Sequence, residues 1–234
     1  MNSTATRPIP LALTALAALF SALVALAVAG GGVGHAHGGS HSTHAVTAEK
    51  AGMVTAAELE LRSEMRRLWE DHVTWTRLGV ISLTTDSPDT QATVARLLRN
   101  QADIGNALEP FYGEAAGDAV TAELRRHILI AADLIAAARA GDEAATADAK
   151  ARWEANAHDI ASALHSLNPR FWKTDAVEEM LGEHLRLTTD EVVARLTGDW
   201  EADVAAYDAI HVHALGMADT LSEGLLKQFP RRFR

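Results

Sequence analysis

From Thr55 to Gln228 the chain repeats one local pattern, an apolar stripe at helical spacing that ends in a turn signal, and this pattern makes a bundle of long helices the fold to expect. A first helix is predicted from about Thr55 to Leu83, where Asp86-Ser87-Pro88-Asp89 supplies a stop, a cap and a proline-initiated restart. The second runs to about Leu108 and ends at Pro110 and Gly113; the third covers Asp118 to Ala140 and is broken by Gly141-Asp142. A fourth continues to Leu167, closed by Asn168-Pro169, and after the linker Arg170 to Thr174 a fifth spans Asp175 to Leu196. Gly198-Asp199 breaks that helix, and the sixth reaches about Gln228 before Pro230. The β-branched alternation of strands is almost lacking. With connections this short, successive helices run antiparallel, so the expected fold is all-α: an antiparallel six-helix bundle.

The inward stripes carry a polar residue at one matched position. Helix one reads Met65, Leu68, His72, Thr76, Gly79, Leu83; helix three reads Val120, Leu124, His127, Ala131, Ile135; helix five reads Val177, Leu181, His184, Thr188, Val192. The histidines are separated by 127−72=55 and 184−127=57 residues. Superposed on them, the following helices match as well: Leu97-Asn100-Ile104-Ala107, Trp153-Asn156-Ile160-Ala163 and Ile210-His213-Met217-Thr220. Asp103 and Asp159 align, with Gly216 in the third unit, and the breaks at Asp86-Ser87, Gly141-Asp142 and Gly198-Asp199 coincide. The bundle is therefore expected to consist of three repeated helical hairpins whose inner faces share a core.

A buried imidazole needs partners for both ring nitrogens, and an aliphatic residue would cost less at each of these positions. If the hairpins close around a pseudo-threefold axis, His72, His127 and His184 converge, with His213 as a fourth metal ligand. Asn100, Asn156, Asp103 and Asp159 then orient or contact the bound cofactor. Neutral imidazoles suit a divalent transition metal such as Zn(II), Cu(II), Ni(II) or Fe(II). His211 and Asp208 add a further ligand pair. On the alternative reading each histidine bonds the Asn or Asp of its own hairpin, His72 with Asn100 or Asp103 and His127 with Asn156 or Asp159, and the bundle is a structural or interaction module.

Catalysis finds less support. A di-iron carboxylate bundle needs inward Glu-x-x-His pairs, whereas Glu123 and His127, like Glu154 and His158, are four apart with the glutamates off the stripe. A phosphate-cradling glycine loop, a nucleophile elbow and an HExxH pair are all lacking, so an enzyme is a third reading with no nameable reaction. Trp69, Trp75, Trp153 and Trp200 read as core packing or helix-end anchors. Trp172, beside Phe171 and Lys173 in the linker, is expected to be exposed enough to meet a partner. Arg77, Arg96 and Arg99 are expected near Asp103, in a partly buried ion-pair network or an anion site.

The first fifty residues stand apart. Leu11 to Ala29 is a run of Ala, Leu, Val and Phe interrupted only by Thr14 and Ser21, about long enough to span a bilayer as a hydrophobic N-terminal helix. Ala27-Val28-Ala29 offers small residues to signal peptidase and Gly30-Gly31-Gly32 a flexible exit. Residues 1–29 are therefore expected to be a signal peptide or an uncleaved membrane anchor, and the protein to be exported across the cytoplasmic membrane, extracellular or held at the membrane. Residues 30–54 read as a flexible linker in which His35, His37, His41 and His44 either capture metal weakly or are simply solvated. Residues 55–234 form the helical domain. The complete lack of cysteine excludes disulfides and thiolate chemistry, and a formal net charge of −10 argues against nucleic acid as a partner.

The strings Leu68-Trp69-Glu70-Asp71-His72-Val73-Thr74-Trp75-Thr76-Arg77 and Asn100-Gln101-Ala102-Asp103-Ile104-Gly105-Asn106-Ala107, continued by His127-Ile128-Leu129-Ile130-Ala131-Ala132-Asp133-Leu134 and Gln228-Phe229-Pro230, resemble a family of small, uncharacterised bacterial helical proteins over about Leu61 to Phe233. Members of that family carry automatic labels such as glycosyltransferase or acetylglutamate kinase. The residues fit neither label, because the strand-helix alternation and the phosphate loop that those folds need are lacking. The resemblance implies a self-contained helical unit and brings no catalytic residues with it.

Overall fold

The structure is a computed structural model that describes residues 54–234. The expected N-terminal apolar helix and most of the His-rich linker lie outside the described residues. Among these, all secondary structure is helical: α1 (Ala56–Thr85), α2 (Thr90–Asn106), the single-turn α3 (Glu109–Tyr112), α4 (Glu114–Ala140), α5 (Glu143–Leu167), α6 (Thr174–Thr197), α7 (Trp200–Gln228) and a final 3₁₀ turn (Pro230–Phe233). No helix among the described residues is long and apolar enough to cross a membrane.

Local chemistry sets the helix ends. Thr55 opens α1 with a capping box: its Oγ1 accepts from the Glu58 amide at 3.2 Å, and Glu58 Oε2 accepts from the Thr55 amide at 2.9 Å. Asp142 and Asp199 cap α5 and α7 by accepting from the amides of Ala145 and Ala202 at 2.9 and 3.0 Å. α1, α4 and α6 all end on a left-handed residue: Asp86, Gly141 and Gly198, with φ of 55°, 70° and 74°. One boundary differs from expectation. The loop after α2 folds into α3, and α4 begins at Glu114 rather than Asp118, because Gly113 at φ 86° and ψ 162° redirects the chain at once.

Each long helix packs against the next, and α7 returns to α1, so the six long helices close a ring; α1 also touches α4 and α6 across it. Arg66 and Arg62 of α1 fasten that closure on Asp219 and Glu223 of α7. Side chains from α1, α4 and α6 meet in layers. Met65, Val120 and Val177 belong to the main core, while Val80, Ile135 and Val192 form a smaller cluster further along. The first set precedes the three histidines by seven residues (72−65, 127−120, 184−177) and the second follows them by eight (80−72, 135−127, 192−184). All three histidines therefore stand at one level of the bundle, between two apolar layers.

Two close approaches fix how the ring packs. A Cβ at Gly105 of α2 would stand 2.6 Å from the Gly117 carbonyl oxygen of α4 and 1.9 Å from Thr121 Oγ1. Since one of these atoms is backbone, the helices must part to admit a methyl group. Gly105→Ala is expected to lower stability by about 1–3 kcal/mol, the usual penalty of overpacking, with an unchanged helical circular-dichroism spectrum; a urea midpoint equal to wild type would show that the crossing yields freely.

The second approach corrects the expectation for Trp172. This residue is 1% exposed, and its indole fills the place a side chain at Gly224 would need. Asn168 Nδ2 donates to the Gly224 carbonyl at 3.0 Å, which holds the linker down over α7. Trp200 is the exposed tryptophan, lying under the Arg195 guanidinium at the start of α7. At the end of the bundle where Thr55 enters, its Oγ1 donates to the Phe233 carbonyl at 2.7 Å, so the first and last elements of the described chain are joined.

Candidate functional site

His72, His127 and His184 are 4%, 5% and 4% exposed, although imidazole is a poor core residue. His184 is the hub. Its ring centroid lies 5.7 Å from that of His72, 6.1 Å from His127 and 6.2 Å from the half-buried His213. Trp69 packs edge-on to His72 at 5.4 Å and Trp153 lies against His127 at 5.1 Å. All four sequence-predicted metal ligands thus meet in one cluster.

Burial sets the charge state. Loss of solvent pushes the imidazole pKa down to about 4 at His72, against smaller upward pulls from Asn100 and Gln101, and to about 4 at His127, against Asn156. His184 falls well below its ordinary value, first through burial and then through its imidazole neighbours. At neutral pH the three rings are uncharged, the form in which imidazole binds metal.

The partner helices hold these rings in a common way. Asn100 Nδ2 donates to the Leu68 carbonyl at 3.0 Å, Asn156 Nδ2 to the Glu123 carbonyl at 3.3 Å, and His213 Nε2–H to the Met180 carbonyl at 3.0 Å. Each acceptor lies four residues before the histidine of its own hairpin (72−68, 127−123, 184−180). Asn156 Oδ1 then accepts from His127 Nδ1–H at 2.9 Å. In the first hairpin Gln101 intervenes: its amide nitrogen lies 3.2 Å from His72 Nδ1, 2.9 Å from the Leu97 carbonyl and 3.1 Å from Asn100 Oδ1. The amide nitrogen has two protons for these three contacts, so the Leu97 carbonyl and Asn100 Oδ1, which can only accept, compete with His72 Nδ1 for them.

The cluster is incompletely satisfied. His184 Nδ1, Gln101 Oε1, Trp69 Nε1 and Trp153 Nε1 are buried without a hydrogen-bond partner. Trp172 Nε1, Thr76 Oγ1, Arg96 Nη1 and Arg195 Nε are also buried without a partner, but only at the cluster do such groups lie among imidazoles, where a water or an ion would satisfy them. As the rings now lie, no group of three or more His, Asp or Glu among the described residues is close enough together to hold a metal ion.

Other sequence-predicted residues lie elsewhere. Asn100 and Asn156 are fully buried beside the cluster, but Asp103 and Asp159 are exposed, and Asp159 pairs with Arg126 at the surface. Both aspartates follow their asparagine by three residues, which turns them roughly 60° off the inward stripe. His211 pairs with Glu70 rather than Asp208, and Glu123 accepts from Asn156 rather than approaching His127.

The arginines also depart from expectation. Arg77 does not reach Asp103; it bonds Glu191 of α6 at 2.8 Å and grips Asp203 of α7 through both oxygens, and Arg195 joins Asp203 at 3.1 Å. Glu191 and Asp203 are 1% and 2% exposed. Burial raises the Glu191 pKa; at Asp203 burial is outweighed by Arg77 and Arg195, and the pKa falls. Arg96 pairs with Asp71 and lies over Trp75, while Arg99 is exposed. Sequence reasoning missed Gln101, Glu191 and Asp203. For Glu191 the signal was present, since it lies seven residues after His184 and so on the inward face of α6.

No family model, curated protein or solved structure matches the chain. The roles of its residues therefore rest on this geometry and on the chemistry of the groups.

Proposed function

We propose that the protein is an exported or membrane-anchored, non-catalytic binding bundle whose buried imidazole cluster takes up a divalent transition-metal cation. One observation carries this reading: His184 Nδ1, buried and without a partner, lies in a ring that neighbours three other imidazoles. The second observation is how the neighbours are held. His127 and His213 each spend one ring nitrogen on an oxygen of their own hairpin, which leaves the other as a lone pair. Metal-binding histidines are commonly oriented in this way. Coordination at about 2 Å from nitrogen draws the rings inward from their present spacing.

The apolar run Leu11 to Ala29 supports placement at or beyond the cytoplasmic membrane. The matched carbonyl contacts and left-handed caps support a threefold repeat of one hairpin, so that the cluster arises from three copies of the same inward position.

Purified without an affinity tag, with His35, His37, His41 and His44 changed to alanine, the full chain is expected to bind one equivalent of Cu(II), Ni(II) or Zn(II). Paramagnetic Cu(II) and Ni(II) should quench Trp69 and Trp153, which lie against His72 and His127. His184→Ala should remove both signals. Sub-stoichiometric metal in the parent protein, or undiminished binding in the variant, would sink the reading. The hydrogen bonds that His72, His127 and His213 make within their own hairpins favour a second reading, a purely structural bundle. On it, His127→Ala costs about 1–3 kcal/mol by stranding Asn156, and no metal binds.

A further inference from the structure

We infer that the cation is seated in the third hairpin, between His184 and His213, and that His213 is its way in; this rests on the metal-binding reading above. The three hairpins differ at one chemically decisive position. In the first two the partner helix carries an asparagine, which donates with its nitrogen and accepts with its oxygen: Asn156 Oδ1 takes the His127 Nδ1 proton, and Asn100 Oδ1 takes a Gln101 proton. In the third that position is His213, which donates from Nε2 to the Met180 carbonyl but has no oxygen to offer. What remains is a lone pair on His213 Nδ1 and an unpartnered His184 Nδ1, in rings 6.2 Å apart and tilted by only 25°.

Access favours the same hairpin. His213 is half-buried, whereas the other three rings are buried. Gly216 stands where the alignment puts Asp103 and Asp159, and where Asp159 closes the second hairpin with an ion pair to Arg126. Gly216 is exposed and a Cβ there would meet nothing within 4 Å, so no side chain at this position covers the approach to His213. A seat of two imidazoles completed by oxygen suits Cu(II) first among the divalent ions.

The test uses the full chain on the same background of four linker alanines, titrated with Cu(II). Electron paramagnetic resonance should show hyperfine coupling to imidazole nitrogens. His213→Asn, which restores the asparagine of the other hairpins, should weaken binding by roughly 100-fold or more, beyond what an outer hydrogen-bonding group contributes. The same change should leave the melting temperature unchanged or higher, because the new amide can reach the Met180 carbonyl and give its oxygen to His184. In the unsubstituted protein, bound Cu(II) should shield His213 from carbethoxylation, read by mass spectrometry; this holds even if the variant fails to fold. Full binding in His213→Asn with loss in His184→Ala, or an unshielded His213, would overturn the assignment and move the seat inward to His72 and His127. A parent protein that binds no Cu(II) would overturn both this seat and the metal-binding reading.

Discussion

Lowering the pH from 7 to 4 is expected to remove about 6 kcal/mol of folding stability through His72 and His127 alone, roughly 3 kcal/mol from each. The sign follows from burial. An unfolded histidine takes up a proton near pH 6.5, while in the folded bundle these two wait until about pH 4, so between those values the unfolded chain binds more protons and acid favours it. Above pH 6.5 their contribution is fully present. His184 acts in the same direction, and Glu191, whose pKa is raised, opposes it in part. Because small domains are stable by only about 5–15 kcal/mol, the bundle should unfold or lose its tertiary packing as pH 4 is approached. Urea titrations at half-unit pH steps would measure the slope. His127→Gln, which cannot titrate, should remove its share, about 3 kcal/mol, of the loss between pH 7 and 4. A stability that stays flat from pH 7 to 5 would mean that the imidazoles are solvated enough to charge in place.

Arg77→Met is expected to be the most damaging single substitution, at about 3–5 kcal/mol, because it leaves a carboxylate stranded in the interior. Asp203 keeps Arg195, but the ion pair to Arg77 is the main compensation for the buried Glu191. The arginine reaches from α1 to both α6 and α7, so its loss loosens three helices together. A double-mutant cycle separates an ion pair from mere packing: Glu191→Gln should recover much of the loss caused by Arg77→Met, and the two changes should be strongly non-additive. Simple additivity, or a loss below about 1 kcal/mol as at an exposed pair, would show that the cluster is solvated.

The helices were legible in the sequence because a period of 3.6 and its glycine, aspartate and proline stops are local properties. The cluster was legible for a related reason. A histidine recurring at one position of three inward stripes must meet its counterparts once the hairpins close on each other, and this level alone brings His72, His127, His184 and His213 together. Periodicity could not reveal which remote side chains would answer the buried charges. Arg77 found Glu191 and Asp203 rather than Asp103, because the return of α7 to α1 is a property of the closed ring and not of any stretch within it. Trp172 misled for the converse reason: a linker residue looks exposed until a glycine 52 positions on (224−172) makes room for its ring.

The closure of α7 onto α1 joins residues 153 and 161 positions apart, through Arg66–Asp219 and Arg62–Glu223. Such distant pairings are slow to find and come after local hairpins. A growing chain can therefore assemble its first two hairpins, with His72 and His127 in place, well before the last helix is made. His213 and the Asp203 that answers Arg77 arrive only with α7. Until then the imidazoles have no fourth member and Arg77 lacks one of its carboxylates, so the cluster and the buried ion pairs of Asp203 are both completed by the same last helix.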